Sequence, residues 1–320
     1  MMPYTPYSRI LAERGFAGRR IRKVPVNGGF TCPNLDGTRG RGGCTFCDNR
    51  SFSPVAGARA MPIAEQLRRG MAFQNARFGA DGFIAYFQAF SGTHAPAARL
   101  ESLYRQALAV PGVAGLSIAT RPDCLDAEKA DLLESLGRET FLTLELGLQS
   151  AYDESLRRVN RGHGFAEFAA AMDLCAGRGF DLCVHLILGL PGESRGHFRG
   201  TALALRAWQF QSVKIHPLHV VRGTELHYRF LAGEYLPLER AEYIAGAVDV
   251  LERLPAEVGV QRFTGDAMDG SLVAPDWCRE KQALRRELLA EFAARGTRQG
   301  DKCPSAAAAF PEAGYHAIRA

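Results

Sequence analysis

Apolar and polar positions follow two rhythms along this chain, and the rhythms take turns. Runs with strand character lie near residues 21–26, 82–90, 113–120, 140–148, 181–188 and 212–218, with a further one at 258–263. Between them, helical spacing of apolar residues appears near 62–78, 96–109, 126–137, 164–178 and 194–209, then near 239–253 and 279–294. Strand followed by helix at this interval predicts parallel βα units. Six or so units predict a barrel, open or closed, more than a short sheet.

The strands carry a second pattern. In 141–149, Leu142, Leu144, Leu146 and Leu148 share one face, while Thr143, Glu145, Gly147 and Gln149 share the other. Leu182, Val184, Leu186 and Leu188 likewise oppose Cys183, His185 and Gly189, and Val213 and Ile215 oppose Lys214 and His216. Ile118 against Ser117 and Arg121 is a weaker instance. Side chains alternate across a strand, and a parallel strand covered by helices normally reads apolar on both faces. Polar residues on one face of four strands predict a hydrophilic, ligand-holding interior, with the leucine faces under the helices.

Residues 27–54 break the alternation. Gly28, Gly29, Pro33, Asn34, Asp36, Gly37, Gly40, Gly42, Gly43 and Pro54 predict a loop, too densely punctuated for helix or ladder. Within it lie Cys32, Cys44 and Cys47, spaced C-x11-C-x2-C. Thiolates this close, on a backbone with glycine freedom, can converge on one inorganic centre. Three ligands on a four-iron cluster leave one iron open, whereas structural zinc sites and ordinary cubane clusters take four. The next candidates, His94 and Cys124, lie far along the chain. A C-x-x-C redox pair with a third cysteine nearby, and zinc, stand as alternatives. The other cysteines are scattered and read as buried or tail thiols. Gly37, Gly40, Gly42 and Gly43 lack the strand-turn-helix order and later acidic partner of a dinucleotide loop. Asp153-Glu154 reads as a helix start favoured by the dipole.

Gly28-Gly29-Phe30-Thr31-Cys32-Pro33-Asn34, followed by Gly42-Gly43-Cys44-Thr45-Phe46-Cys47, resembles the cluster loop of radical S-adenosylmethionine (SAM) proteins, including the aromatic before the last cysteine. The long first spacing departs from the commoner C-x3-C-x2-C and is similar to the branch containing the elongator catalytic subunit. The likeness continues through Phe87-Gln88-Ala89-Phe90, Ala119-Thr120-Arg121-Pro122-Asp123, Glu145-Leu146-Gly147-Leu148-Gln149, Asn160-Arg161-Gly162-His163, His185 to Glu193 and Lys214-Ile215-His216-Pro217. It reaches Arg222-Gly223-Thr224 and Thr264-Gly265-Asp266, and across roughly residues 5–290 the chain resembles the YhcC-type subfamily of radical SAM proteins.

The resemblance implies an α/β fold, a partial (β/α)6 TIM-like barrel with a C-terminal α/β extension, and the cluster in the loop after the first strand. It implies a [4Fe–4S] cluster on Cys32, Cys44 and Cys47, with the amine and carboxylate of S-adenosyl-L-methionine on the remaining iron. Reductive cleavage then gives methionine and a 5′-deoxyadenosyl radical, the protein supplying orientation and exclusion of competing reactions. Ser91, Gly92 and Thr93 occupy the place of the family's Gly-Gly-Glu-like stretch, where backbone groups meet the SAM amine. Glu145 and Gln149 are expected at the amine or ribose, Arg161 at the carboxylate, and Gly189, Leu190 and Pro191 along the adenine. His185 stands where related enzymes often carry a carboxylate, and its role stays open, as does that of Lys214.

Composition narrows the setting. With 320 residues, 47% apolar and 23% charged, the chain can bury a sizeable core. It shows no run of about 18 apolar residues and no signal-peptide core, so the expectation is a cytoplasmic protein without membrane contact. Residues 1–41 hold eight basic residues against Glu13 and Asp36, a balance of +6 that leaves −1 for the rest of a +5 chain. A basic N-terminal segment (1–20) can meet a polyanion, tRNA among them, or can be a solvated end in an arginine-rich protein. The remaining divisions expected are the core barrel at 21–220, an extension packed on it at 221–295, and a disordered tail at 296–320. The substrate stays unknown, tRNA or a small metabolite, and an electron donor such as flavodoxin or ferredoxin is implied. The reading from another class is a zinc or iron–sulfur module that binds RNA or a partner without SAM turnover.

Overall fold

The computed structural model describes residues 2–58, 61–265 and 270–303. The elements in chain order are α1 (Tyr7–Leu11), β1 (Ile21–Val26), α2 (Asn49–Phe52), α3 (Ile63–Phe78), β2 (Gly82–Phe87), α4 (Ala97–Leu108), β3 (Val113–Thr120), α5 (Ala127–Glu139) and β4 (Phe141–Gln149). They continue with α6 (Asp153–Arg158), α7 (Phe165–Cys175), β5 (Asp181–Leu188), α8 (Arg195–Ala204), β6 (Ser212–Pro217) and β7 (Val220–Val221). The last are α9 (Glu225–Leu231), α10 (Arg240–Leu251), β8 (Gly259–Arg262), β9 (Leu272–Ala274) and α11 (Lys281–Arg295).

One sheet organises them, in the order β1-β2-β3-β4-β5-β6-β8, with every neighbouring pair parallel. Six strands form the expected partial barrel, and the extension contributes the seventh. The curled sheet stays open, because β1 and β8 are its two ends. Leu142, Leu144, Leu146 and Leu148 are at most 2% exposed and pack with Leu133, Leu136, Phe168 and Met172 from the covering helices. The leucine faces thus lie under the helices, as the alternation predicts. Helix starts follow local chemistry: Asp126 accepts from the Lys129 N–H, and α6 opens on Asp153 and Glu154. At the end of α3, Gly79 takes a left-handed φ of 59° that a side chain would resist.

Two expectations are corrected. Residues 27–54 contain a helical turn after all, α2, started by Asp48 accepting from the Arg50 N–H. The glycine and proline content concealed it because it is only four residues long. The N-terminal segment keeps Arg9, Arg14, Arg19 and Arg20 exposed while packing on the sheet. It lies under the starts of the strands, with Phe16 edge-on against Phe141, Arg14 on Asp181, and Thr5 O accepting from the Val260 N–H. The tail expected from 296 onward is ordered at its start. Gln299 is buried, accepts from the Thr5 N–H and donates to Pro255 and Val258 carbonyls. Residues 304–320, the rest of that expectation, and Asp266 lie outside the described residues.

Candidate active site

Parallel strands deliver side chains and loops to one end, where ligands gather in such folds. There the structure holds a cavity of about 770 Å³, lined by Cys32, Cys44, Cys47 and the polar strand faces. Glu145, Gly147 and Gln149 from β4, His185 from β5, Lys214 and His216 from β6, and Arg262 from β8 all face it.

The cysteine loop is fixed from several sides. The Thr45 N–H donates to Val159 O, and Thr45 O accepts from Leu226 N–H. Asn160, with a left-handed φ of 50°, donates from Nδ2 to Gly43 O at 2.7 Å. Asn34 Nδ2 bonds Asn160 O at 2.5 Å and reaches Cys44 Sγ at 3.9 Å, while Asn49 Nδ2 lies 3.8 Å from Cys47 Sγ. Phe46 packs in an apolar shell with Val159, Leu190, Leu218 and Leu226 behind the sulfurs. All three cysteines are free thiols. The Cys47 thiol, although open to the cavity, is pushed up to about 12 by the protein around it and by the neighbouring Cys44 and Cys32 sulfurs.

Arg161 stands closest to the chemistry of that loop. Its guanidinium donates to Gly147 O at 2.7 Å and to His163 Nε2 at 2.9 Å, and reaches Cys44 Sγ at 3.7 Å. Expected at a SAM carboxylate, it is engaged instead with a cysteine sulfur and the β4 backbone, with its edge still on the cavity. Asp123 pairs with Arg121 at 2.9 Å, and Arg121 in turn donates to Arg161 O. Burial would raise the Asp123 carboxyl, but the Arg121 guanidinium more than offsets it and holds it low.

Glu145 is fully buried and sits at the centre of a polar knot. Its oxygens accept from Lys23 and Lys214, from Ser117 Oγ at 2.7 Å and from Tyr86 OH at 2.8 Å, with His185 Nε2 at 2.8 Å. Burial alone would raise this carboxyl, but Lys214 and Lys23 hold it well below its ordinary range. Burial and Lys214 push His185 down to about 4, so its imidazole is neutral. Both Glu145 oxygens, expected at the SAM amine or ribose, accept here from the protein's own donors. Glu145, Cys183 and His185 also place three donor atoms within 4.8 Å of one another, but two ammonium groups against the carboxylate oppose a cation there.

Other expected contacts separate. Ser91 lines the cavity. Gly92 and Thr93 turn into the protein, since the Gly92 N–H bonds Ala119 O at 2.8 Å and Thr93 Oγ1 bonds Thr120 Oγ1 at 2.6 Å. A Cβ at Gly92 would meet Ala119 O at 2.8 Å, so strand packing explains that glycine. Gly189, Leu190 and Pro191 are outside the lining of this cavity: Gly189 O accepts from Tyr235 OH, and Leu190 packs in the shell behind the cysteines. Gln149 lines the cavity with a left-handed φ of 73°, beside the irregular register between β4 and β5. Sequence reasoning missed Lys23, Tyr86 and Arg262. A signal existed: only five lysines occur in 320 residues, and two of them fall at alternating positions inside strands.

The donor set fits a multi-iron centre. Cys32, Cys44 and Cys47 line one cavity, and the Cys44 and Cys32 sulfurs act on the Cys47 thiol, so three thiolates can converge on one cluster and leave an iron open. The Radical SAM superfamily model matches residues 36–205, and the Radical_SAM C-terminal domain model matches 210–292.

The chain belongs to the radical SAM superfamily. Radical SAM proteins use a [4Fe–4S] cluster and SAM. The superfamily match begins after Cys32 and includes Cys44 and Cys47. Protein YhcC of Escherichia coli (strain K12) is 38% identical over 289 residues, covering 88% of this chain and 92% of that protein. Protein YtqA of Bacillus subtilis (strain 168) is 36% identical over 283 residues, 88% of each. The tRNA uridine(34) acetyltransferase of Methanocaldococcus infernus is 32% identical over 155 residues, which span 47% of this chain and 28% of that protein. The structure of the archaeal Methanocaldococcus infernus Elp3 with an N-terminal deletion shares the fold, with a TM-score of 0.66 at 20% identity over 88% of this chain and 64% of that one. No described helix is long and apolar enough to cross a membrane.

Proposed function

We propose that this radical SAM protein is an enzyme that cleaves SAM reductively and turns the resulting radical on an organic substrate held in the same cavity. The observation that carries this reading is the convergence of Cys32, Cys44 and Cys47 on one wall of a cavity whose other walls are the polar strand faces. Those three cysteines would hold the [4Fe–4S] cluster. When bound, the cluster and SAM supply the one-electron cleavage that yields methionine and a 5′-deoxyadenosyl radical, the electron coming from a flavodoxin- or ferredoxin-type donor.

The chain's own residues do the rest. Arg161 offsets negative charge on Cys44 Sγ while its bond to Gly147 O ties the cysteine loop to β4. The shell of Phe46, Leu190 and Leu218 excludes water from behind the sulfurs. Ser91, Gln149 and the neutral His185 present uncharged polar groups to the cavity, suited to orienting the amine, ribose and adenine of SAM. The cavity volume suits small-molecule ligands, which occupy roughly 300–1,000 Å³. A tRNA substrate, the class named by the acetyltransferase relative, would have to present a single nucleotide into the same space.

Anaerobic reconstitution tests the reading. The expected result is four irons per chain and 5′-deoxyadenosine formed from SAM and reductant, with both lost in Cys44→Ala. One zinc per chain with no SAM cleavage would overturn it in favour of a metal-binding module.

A further inference from the structure

One wall of the cavity holds more basic side chains than carboxylates among the described residues. On the wall built by β1, β4, β6 and β8, Lys23 and Lys214 share one carboxylate, that of Glu145. Arg262, in register beside Lys214, has no carboxylate partner among the described residues, and its Nε is buried without a hydrogen bond. Among the described residues of this wall, Lys23, Lys214 and Arg262 thus face the one carboxylate of Glu145. The neighbouring His185 and His216 contribute no compensating charge: burial and Lys214 hold His185 at about 4, and burial with Arg262 holds His216 well below its ordinary range. A buried guanidinium donor without an acceptor is costly unless a ligand completes it. SAM does not do so, because its sulfonium and ammonium outnumber its one carboxylate, and in the reading above that carboxylate sits at the cluster.

We propose that this wall is the seat for an anionic group of the substrate, a carboxylate or phosphate bonded by Arg262 and neutralised by Lys214. The inference rests on the proposed SAM chemistry only for placing SAM's carboxylate elsewhere. A guanidinium fork suits either oxyanion. Gln261, which accepts from Lys23 at 2.9 Å, and Ser212 brace the strand that carries Arg262. Lys214 faces Lys23, Tyr86, Glu145, Cys183, His185 and Arg262, and burial lowers it to about 7 despite Glu145.

Isothermal titration calorimetry on the reconstituted, SAM-loaded protein, with malonate and inorganic phosphate as separate probes, reads this directly. The expected result is saturable binding of one anion per chain, weakened about tenfold or more in Arg262→Gln and largely restored in Arg262→Lys. A parallel arm measures retention of total tRNA by wild type and Arg262→Gln. Loss of tRNA retention in the variant assigns the anion to an RNA phosphate, whereas unchanged retention with malonate or phosphate binding assigns it to a small acid. No anion binding and no effect on tRNA, in a protein that still cleaves SAM, overturns the seat and leaves the radical chemistry standing. Anion binding without any SAM cleavage overturns the radical chemistry and leaves the seat.

Discussion

Glu145 shows how much one residue can carry. Buried among Lys23, Lys214, Tyr86, Ser117 and His185, it is the carboxylate around which five other strands are held. Removing one member of a buried ion network leaves the others uncompensated, at about 3–5 kcal/mol. Glu145→Gln should lower unfolding free energy by that order in urea titration, and a change under 1 kcal/mol would show the knot to be dispensable. Protonation acts on the same region. Burial holds His185 and His219 at about 4, with Lys214 and Arg262 adding to it. An unfolded histidine binds its proton near about 6.5, so their contribution to stability is complete above that value and is lost as pH falls toward 4. The melting temperature should fall across this window, and more shallowly in His185→Gln. An unchanged slope would remove His185 from the account.

At the scale of elements, the turn after α6 governs the cysteine loop. Asn160 takes a backbone conformation that asparagine tolerates better than most residues and binds the loop carbonyls of Gly43 and Arg41. Asn160→Ala should keep the far-ultraviolet circular dichroism of the parent yet bind substantially less iron on reconstitution. Full iron loading in that variant would show that the loop holds its shape unaided. The loop itself was legible from its cysteines and glycines. Its support was not, because Asn160 and Val159 stand more than 100 residues away from Gly43 and Thr45. The same limit applies to Gly92 and Leu190, which match a motif yet point away from the cavity. A motif records residue type, whereas orientation follows from which neighbouring strand or shell the side chain packs on.

For the whole molecule, the notable fact is that the C-terminal extension is not a separate layer. β8 pairs with β6 in the main sheet, Val260 bonds Thr5, and Gln261 meets Lys23 across the open edge. A chain ending at residue 255 should therefore lose the cooperative thermal transition of the parent and bind a hydrophobic dye. A sharp melt in the truncated chain would make 21–220 an independent barrel. The N-terminal segment belongs to the same closure, through Phe16 on Phe141 and Arg14 on Asp181.

The amino-acid pattern alone determined the βα alternation, the greasy and polar faces of the strands, and the three-thiol loop. Those are local properties, written in periodicities of two and 3.6 residues and in cysteine spacing. Only the tertiary structure decided which polar groups meet. The pairing of Lys23 with a carboxylate 122 residues later, Arg262 beside Lys214 without a carboxylate among the described residues, and the turning inward of Gly92 all depend on strand order and curl. Charge and hydrogen bonding act through space, and in a parallel sheet the neighbours in space are far apart along the chain.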